Sequence, residues 1–139
     1  EKIRLFLVKT IYADTNKSYH ISSEINKLLK QYDDKTFVLN IGSGKKRLAA
    51  HVKNLDIIDD LNVDYVCSAD NIPIESNSVD LIITQEAFEH IPNSTEAIKE
   101  CYRILKNDGK IYFQVPFIVG YHPSPTDFYR FTKEGIKNF

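Results

Sequence analysis

Apolar positions fall at helical spacing in two stretches near the start of the chain. The first stretch contains Ile3, Phe6, Leu7 and Ile11, and the second contains Ile21, Ile25, Leu28, Leu29 and Tyr32. Steps of three and four residues bring side chains onto one face of a helix, so each stretch predicts an amphipathic helix. We therefore predict an N-terminal helical segment over residues 1–35.

From residue 36 onward the pattern changes to short, nearly continuous apolar runs, which are typical of strands buried on both faces. Five strands are predicted, over residues 36–41, 52–58, 63–67, 79–84 and 110–117. A helix is predicted over residues 95–105, and a turn at Asn107-Asp108-Gly109 precedes the fifth strand. Strands that alternate with helices indicate a parallel sheet with right-handed crossovers. The pattern therefore predicts an α/β fold for residues 36–139.

Composition is that of one ordinary globular domain, with 42% hydrophobic and 27% charged residues in 139. The net charge of −1 offers no basic surface, so neither nucleic acid nor a membrane is expected as a partner. Cys67 and Cys101 have no partner at metal-ligand spacing, and we predict reduced thiols in a cytoplasmic protein. The sequence has no Met and stops at Phe139 inside a predicted helix start. We therefore expect either that the natural protein is longer or that residues are missing from this sequence.

The first predicted strand runs into Gly42-Ser43-Gly44, where glycines permit a tight turn and a close approach to a ligand. Arg47 stands where a dinucleotide-binding turn would have a third glycine or alanine, and the sequence contains no P-loop. In an open α/β sheet, ligands bind beyond the carboxyl ends of the strands. The turn therefore predicts a ligand at this edge that need not carry a phosphate.

Asp56 stands at the end of the second predicted strand, where a carboxylate can accept hydrogen bonds from both ribose hydroxyls of an adenosine group. A solvated loop aspartate, one of a cluster with Asp59 and Asp60, is an equally good interpretation of the residue taken alone.

A series of short motifs follows in order along the chain. They are Val38–Gly44, Asn54–Ile57, Ser68–Ile74, Asn77–Ile83, Glu89–Ile91, Glu100–Lys110 and Pro116. Together they resemble the class I S-adenosylmethionine-dependent methyltransferases of the small-molecule, Rossmann-like type, over roughly residues 36–132. The resemblance implies a three-layer sandwich with strand order 3-2-1-4-5 and S-adenosyl-L-methionine as cofactor.

The family completes its sheet with two further strands, so the methyltransferase domain over residues 36–139 is expected to be incomplete at its C-terminus. The fifth strand would then be an exposed edge, to be covered by another segment or by a second subunit in a homo-oligomer.

The resemblance also implies roles for individual residues at the cofactor. Gly42, Ser43 and Gly44 would contact its methionine part and ribose, Asp56 the ribose, Ile57 the adenine, Ser68, Ala69 or Asp70 the adenine edge, and Thr84 and Gln85 the reacting centre. Asn40, Lys46 and Ser68 depart from the family pattern. These departures keep open a second hypothesis, a non-catalytic methyltransferase-like binding or regulatory domain. Arg47 and the short span to Asp56 disfavour a nicotinamide-dependent oxidoreductase.

His90 and His122 are the predicted catalytic bases, because histidine titrates near neutral pH and both follow strands that lead to the predicted cofactor site. For His90, packing or capping of the turn before Pro92 is the alternative. Glu86 and Glu89 lie three residues apart, which can indicate acid–base chemistry or a metal. The preference of acidic residues for a helix N-terminus is a simpler explanation, so no metal is predicted.

The loop after the fifth strand is rich in aromatic residues and prolines, and the resemblance implies that it forms part of an acceptor pocket. Its predicted substrate-binding residues are Tyr121, Asp127, Tyr129 and Arg130. An Asp127–Arg130 pair that caps the following helix is the alternative. We predict an enzyme that moves a methyl group from S-adenosyl-L-methionine to a small polar acceptor molecule.

Overall fold

The computed structural model describes residues 6–11 and 23–138. The strands are β1 (Phe6–Ile11), β2 (Val38–Ile41), β3 (Val52–Asp56), β4 (Tyr65–Val66), β5 (Val79–Gln85) and β6 (Leu105–Pro116). The helices are α1 (Ser23–Leu29), α2 (Ser94–Ile104) and α3 (Lys133–Lys137), with one 3₁₀ turn at Phe88–His90. No helix among these described residues is long and apolar enough to cross a membrane.

All neighbouring strands pair in parallel, in the order β1-β6-β5-β2-β3-β4. Strands β2 to β6 are the five strands predicted from the sequence, and their order 3-2-1-4-5 is confirmed. Because the strands are parallel, their carboxyl ends meet at one edge of the sheet. The Gly-rich turn after β2, Asp56 at the end of β3 and Gln85 at the end of β5 all lie along that edge.

The first predicted helix is wrong for Phe6–Ile11, which form strand β1. This strand pairs with β6 from Phe6 opposite Ile111 to Ile11 opposite Pro116. Its sequence Phe-Leu-Val-Lys-Thr-Ile is rich in β-branched and aromatic residues, and pairing with an open strand outweighs a short helical spacing. Of the two coverings predicted for the edge of the fifth strand, another segment of the chain or a second subunit, the structure has the first, because β1 pairs with β6.

The second predicted helix is confirmed by α1, which buries Ile25, Leu28 and Leu29. Ile3 and Ile21 also belong to the two predicted helical faces, but both lie outside the described residues. The division of the chain at residue 35 stays a prediction. The predicted helix near the end of the chain is confirmed by α3.

The predicted turn at Asn107–Gly109 lies within the bounds of β6, as a shift in strand register. Val79 faces Leu105 and Leu81 faces Lys110, so the residues between Leu105 and Lys110 bulge out of the ladder. A sequence typical of a turn can thus form a bulge within a strand when the strand pairs with its neighbour on both sides of the bulge.

The core forms two layers, one on each face of the sheet. In β2, Val38 packs on the face covered by α1, and the next residue, Leu39, packs on the face covered by α2. This alternation is the period of two that a strand imposes on its side chains. Helix α2 contributes Ala97, Ile98, Cys101 and Ile104 to its layer. Helices on both faces bury the strands and leave the carboxyl edge as the place for a ligand.

Candidate functional site

A cleft with a volume of about 1260 Å³ runs along the carboxyl edge of the sheet. It is large enough for a cofactor and an acceptor together. Of the residues predicted from the sequence, it is lined by Gly42, Ser43, Gly44, Asp56, Ile57, Ser68, Ala69, Gln85, His90 and His122. The other predicted site residues, Asp70, Thr84, Tyr121, Asp127, Tyr129 and Arg130, lie outside this lining.

The Gly-rich turn depends on its two glycines for different reasons. Gly42 has φ +70°, and a Cβ there would lie 2.2 Å from the Cβ of Ala87. Gly44 has φ +55°, but a Cβ there would meet no atom within 4 Å. The first glycine is therefore required by packing against the segment after β5, and the second by backbone conformation, with open space beside it for a ligand.

Asp56 is held by the backbone of the turn that it faces. Its Oδ2 accepts the N–H of Gly44 at 2.7 Å, and its Oδ1 accepts the N–H of Ile58 at 3.0 Å. A carboxylate oxygen has two lone pairs, so each oxygen can accept one more hydrogen bond, as a ribose diol would require. Ile57 beside it is 58% exposed and lines the cleft. These groups fit the ribose and adenine of S-adenosyl-L-methionine.

Asp70 connects two walls of the cleft rather than lining it. Its Oδ2 accepts a hydrogen bond from Asn93 Nδ2 at 2.8 Å. The Ser68 hydroxyl and the Asn93 amide, as hydrogen-bond donors, hold the pKa of Asp70 below its usual range. Ser68 and Ala69 themselves line the cleft, so the segment after β4 is positioned from the start of α2. A direct contact of Asp70 with the cofactor stays a prediction.

The remaining predicted cofactor residues end strand β5. Gln85 lines the cleft, whereas Thr84 is fully buried, and its Oγ1 has no hydrogen-bond partner among the described residues. A contact of Thr84 with the reacting centre stays a prediction.

The unusual residues of the Gly-rich turn have structural partners. Asn40 is buried and donates through Nδ2 to Oδ1 of Asn54 at 3.3 Å, across the β2–β3 pair. Arg47 donates to the carbonyl of Val52 at 2.6 Å and to Asp64 at 2.8 Å. Arg47 thus fastens the short β2–β3 connection to the segment before β4, which accounts for an arginine where a dinucleotide site would need a small residue.

The other end of the cleft contains Glu89, His90 and His122. The Glu89 side chain is fully buried, and neither of its carboxylate oxygens has a hydrogen-bond partner among the described residues. Its Oε1 lies 3.5 Å from His122 Nε2 and 3.8 Å from His90 Nε2. Burial, with a smaller contribution from the charge of Glu86, raises the pKa of Glu89 to about 7, although His122 acts in the opposite direction.

Both histidines are predicted from the sequence, whereas Glu89 has the sequence position of an ordinary helix-terminal acid. The signal that could have revealed its burial is the apolar run around it, Ala87-Phe88 before and Ile91 after. A charged residue in such a run is either paired or functional when buried.

The loop over residues 117–131 forms the outer wall of this end. Its cleft-lining residues are His122, Ser124, Pro125, Thr126 and Phe128. The N–H of Phe128 donates to the backbone carbonyl of Glu89 at 2.8 Å, so the loop folds back onto the 3₁₀ turn. Apart from His122, these lining residues are not predicted from the sequence, because no spacing along the chain indicates where a loop folds back.

Arg130 holds the loop in shape. It donates to the carbonyls of Val119 and Gly120 at 3.0 and 2.9 Å and pairs with both carboxylate oxygens of Asp127. These hydrogen bonds from Arg130 hold the pKa of Asp127 well below its usual range. The predicted Asp127–Arg130 pair is therefore present, but it does not cap α3. Thr132 does so, accepting the N–H of Gly135 at 2.9 Å.

The two tyrosines of the loop differ in their surroundings. Tyr129 donates through its hydroxyl to the carbonyl of Pro92 at 2.7 Å, and Tyr121 is 76% exposed. Acceptor binding by Tyr121, Asp127, Tyr129 and Arg130 stays a prediction.

An open parallel sheet with a Gly-rich turn after one strand and a carboxylate at the tip of the next is typical of Rossmann-like folds, a group that includes the class I S-adenosyl-L-methionine-dependent methyltransferases. A family model described as a methyltransferase domain matches residues 22–113, and the chain belongs to this family. The family binds S-adenosyl-L-methionine, which is the cofactor of this domain.

Solved structures share the fold. A candidate S-adenosyl-L-methionine-dependent methyltransferase from Methanococcus maripaludis is 24% identical, with a TM-score of 0.50 over 66% of this chain and 53% of that one. A candidate methyltransferase from Bacillus halodurans is 20% identical, with a TM-score of 0.53 over 65% and 49%. The YcgJ protein of Bacillus subtilis is 21% identical, with a TM-score of 0.51 over 62% and 47%. The chain thus spans about half the length of these structures. No curated protein matches it.

Proposed function

We propose that this domain transfers a methyl group from S-adenosyl-L-methionine to an oxygen or nitrogen atom of a small polar acceptor. The observation that carries the proposal is the continuity of one cleft from Gly44 and Asp56 at one end to His90 and His122 at the other. The first pair fits the adenosyl part of the cofactor. The second presents imidazole groups beside open space, where an acceptor would approach the methyl group.

In methyl transfer the protein mainly orients the two reactants and need not form a covalent bond to either of them. As the acceptor–carbon bond forms, the sulfur–carbon bond breaks, and its electron pair returns to sulfur to give S-adenosylhomocysteine. The acceptor also loses a proton, and the two histidines are the groups proposed to assist its loss. Holding acceptor and methyl in line supplies most of the rate, and the cleft walls provide that constraint.

Calorimetric titration with S-adenosyl-L-methionine and S-adenosylhomocysteine tests the cofactor end first, with NAD as a control ligand. We expect the adenosyl compounds to bind and NAD not to bind. Asp56→Ala should weaken binding by about 10-fold to 100-fold, because it removes charge-assisted hydrogen bonds to the ribose and to Gly44. Asp59→Ala is the matched control, since Asp59 is exposed and lies outside the cleft lining. A folded chain that binds neither adenosyl compound would contradict the proposal.

The alternative, a binding or regulatory domain without catalysis, is supported by Asn40, Lys46 and Ser68, which depart from the family pattern. The two functions differ in one product. Incubation with methyl-labelled cofactor and a panel of small hydroxyl, amine and carboxylate acceptors should release S-adenosylhomocysteine if the domain is an enzyme. Cofactor binding without any release would support the alternative.

We keep the cytoplasm as the predicted location, because Cys67 and Cys101 are free thiols. A direct role of Tyr121, Asp127, Tyr129 and Arg130 in acceptor binding is also part of the proposal. It is supported by their position in the loop that carries His122.

A further inference from the structure

Three side-chain atoms at the acceptor end of the cleft converge on one point. Oε1 of Glu89 lies 3.5 Å from Nε2 of His122 and 3.8 Å from Nε2 of His90, and one ligand atom of each residue lies within 4.8 Å of the others. Ligands at zinc–nitrogen and zinc–oxygen distances in a tetrahedral site are roughly 3.4 Å apart. The spacing is therefore that of ligands around a single ion and is too long for good hydrogen bonds.

Both imidazoles are oriented as metal ligands usually are. Nδ1 of His90 lies 2.7 Å from the carbonyl of Thr126, and Nδ1 of His122 lies 2.8 Å from the carbonyl of Gly120. A carbonyl oxygen can only accept, so Nδ1 of His90 carries the hydrogen and its Nε2 has a free lone pair. Nδ1 of His122 also lies 3.3 Å from the guanidinium of Arg130, a donor, but the carbonyl of Gly120 is closer, so the same tautomer is assigned to His122. A backbone carbonyl on the distal nitrogen is the arrangement that fixes the tautomer and ring orientation of ligating histidines.

Glu89 supplies a second, independent observation. Its carboxylate is fully buried, and neither oxygen has a hydrogen-bond partner among the described residues. A buried carboxylate without partners is costly, whereas coordination of a cation satisfies it. The nearby guanidinium of Arg130 does not serve this purpose, because it is paired with Asp127.

We infer that Glu89, His90 and His122 bind a divalent transition-metal ion such as Zn²⁺ or Co²⁺. Two imidazoles and one carboxylate are ligands that suit these ions. Three protein ligands leave one position of a tetrahedral ion free, as in catalytic zinc sites. Because His90 and His122 line the cleft, that position would face the proposed acceptor.

The ion would give the acceptor end a means of activating its substrate. With Nε2 of both histidines bound to the ion, neither could act as the base of the proposed function. An acceptor hydroxyl bound to the ion is instead more acidic than a free one and would release its proton to water. The resulting oxygen then forms its bond to the methyl carbon as the sulfur–carbon bond of the cofactor breaks. This use of the ion depends on the proposed function, whereas binding of the ion does not.

Metal titration of the purified, tag-free chain tests the inference directly. After treatment with a chelator and removal of the chelator, the chain is titrated with Co²⁺, with heat and the visible absorption of the ion as readouts. We expect one equivalent to bind with the intense visible bands of a tetrahedral site, and Zn²⁺ to displace it. Glu89→Gln and His122→Ala should each weaken binding by about 100-fold or more, beyond the loss expected for a residue that only orients a ligand.

His51→Ala is the matched control, because His51 precedes β3 and so lies at the opposite end of the sheet from the cleft. It should bind Co²⁺ as the parent does. His122 is on a loop and its side chain is 37% exposed, so His122→Ala is expected to fold. The test therefore still gives a result if Glu89→Gln does not fold. Failure of the parent to bind Co²⁺, or equal binding by folded Glu89→Gln and His122→Ala, would overturn the inference. Titration of the same samples with S-adenosylhomocysteine separates that result from a failure of the proposed function.

Discussion

The cofactor end of the cleft is built from residues at the tips of adjacent strands, close together in the sequence, whereas the acceptor end is built from residues of distant segments. Gly44 and Asp56, which define the first end, are hydrogen-bonded at a separation of 12 residues. His90 and Thr126, at the second end, are in contact at a separation of 36 residues. The first end can therefore form as soon as β2 and β3 pair. The second requires the loop over residues 117–131 to fold back over the sheet.

This difference corresponds to the two ligands, a cofactor that many enzymes share and an acceptor that differs between them. A cofactor common to many enzymes can be bound by a turn and a carboxylate at the tips of two neighbouring strands, because these groups come with the sheet itself. An acceptor that differs between enzymes needs side chains on a loop that can change without disturbing the sheet. Substitutions should therefore affect the two ends separately.

The largest expected effect is that of Gly42→Ala, at the cofactor end. A methyl group there would lie 2.2 Å from Ala87 Cβ in a backbone conformation with φ +70°. We expect the free energy of unfolding to fall by about 3 kcal/mol, from overpacking and backbone strain together. Urea denaturation followed by circular dichroism measures the loss.

Gly44→Ala is the control for Gly42→Ala. It shares the left-handed conformation but meets no atom within 4 Å, so its cost should be about 1 kcal/mol. Equal losses in the two variants would mean that the contact with Ala87 is not what requires Gly42.

Arg130→Lys should affect only the acceptor end. A lysine ammonium cannot reproduce the fork of hydrogen bonds to Val119, Gly120 and Asp127, and we expect a local loss of about 2 kcal/mol. Amide hydrogen exchange over residues 117–131 should become faster, while the affinity for S-adenosylhomocysteine should stay within about twofold of the parent. A parallel loss of cofactor affinity would show that the two ends are coupled.

Acid should loosen the scaffold at the end of the sheet away from the cleft. Burial raises the pKa of Asp80, but hydrogen bonds from Lys106 at 2.7 Å and the N–H of Phe37 at 2.8 Å outweigh it and leave the pKa below its usual range. The ionised form is thus favoured by folding. Its stabilisation is complete above the unfolded pKa, about 4, and is lost as pH falls through the lower folded pKa.

Asp80→Asn should accordingly cost about 1 kcal/mol at neutral pH and show a smaller further loss in acid than the parent. Urea midpoints at a series of pH values provide the measurement. Asp34→Asn, at an exposed position, is the control and should keep the pH dependence of the parent. If the urea midpoint of Asp80→Asn falls with decreasing pH as steeply as that of the parent, the acid sensitivity comes from other groups.

The smallest expected effect is that of Tyr129→Phe, which removes one hydrogen bond between the loop and Pro92. We expect a loss of about 0.5 kcal/mol, because the hydroxyl is partly solvated and water can replace it. Comparison of urea midpoints with those of Tyr121→Phe, whose side chain is 76% exposed, measures the contribution of this contact. No difference between the two variants would make the contact dispensable for the loop.

Strands β2 and β5 could be predicted because each is a nearly continuous apolar run followed by residues with a known turn or binding chemistry. β2 and β5 are buried along almost their whole length, and Gly42 and Asp56 follow from the turn and the strand end that they occupy. Local sequence determines these features, so local patterns were sufficient to find them.

The features that were missed depend on contacts between distant residues. Strand β1 carries a helix-like spacing, and only the open edge of β6 makes it a strand. Glu89 looks like an ordinary helix-terminal acid until the folded loop encloses it together with His122. No pattern within a short window of sequence contains the partner that decides either case.

Strand β1 has a further consequence, for the order in which the chain folds. It pairs with residues about a hundred positions later, and closing a loop of that length costs about 4 kcal/mol of chain entropy before any hydrogen bond forms. Among the described strands, β1 is made before the others but has no partner until β6 leaves the ribosome. The pairs among β2, β3, β4 and β5 can assemble in the meantime, so β1 joins these strands late, and its docking should limit the folding rate.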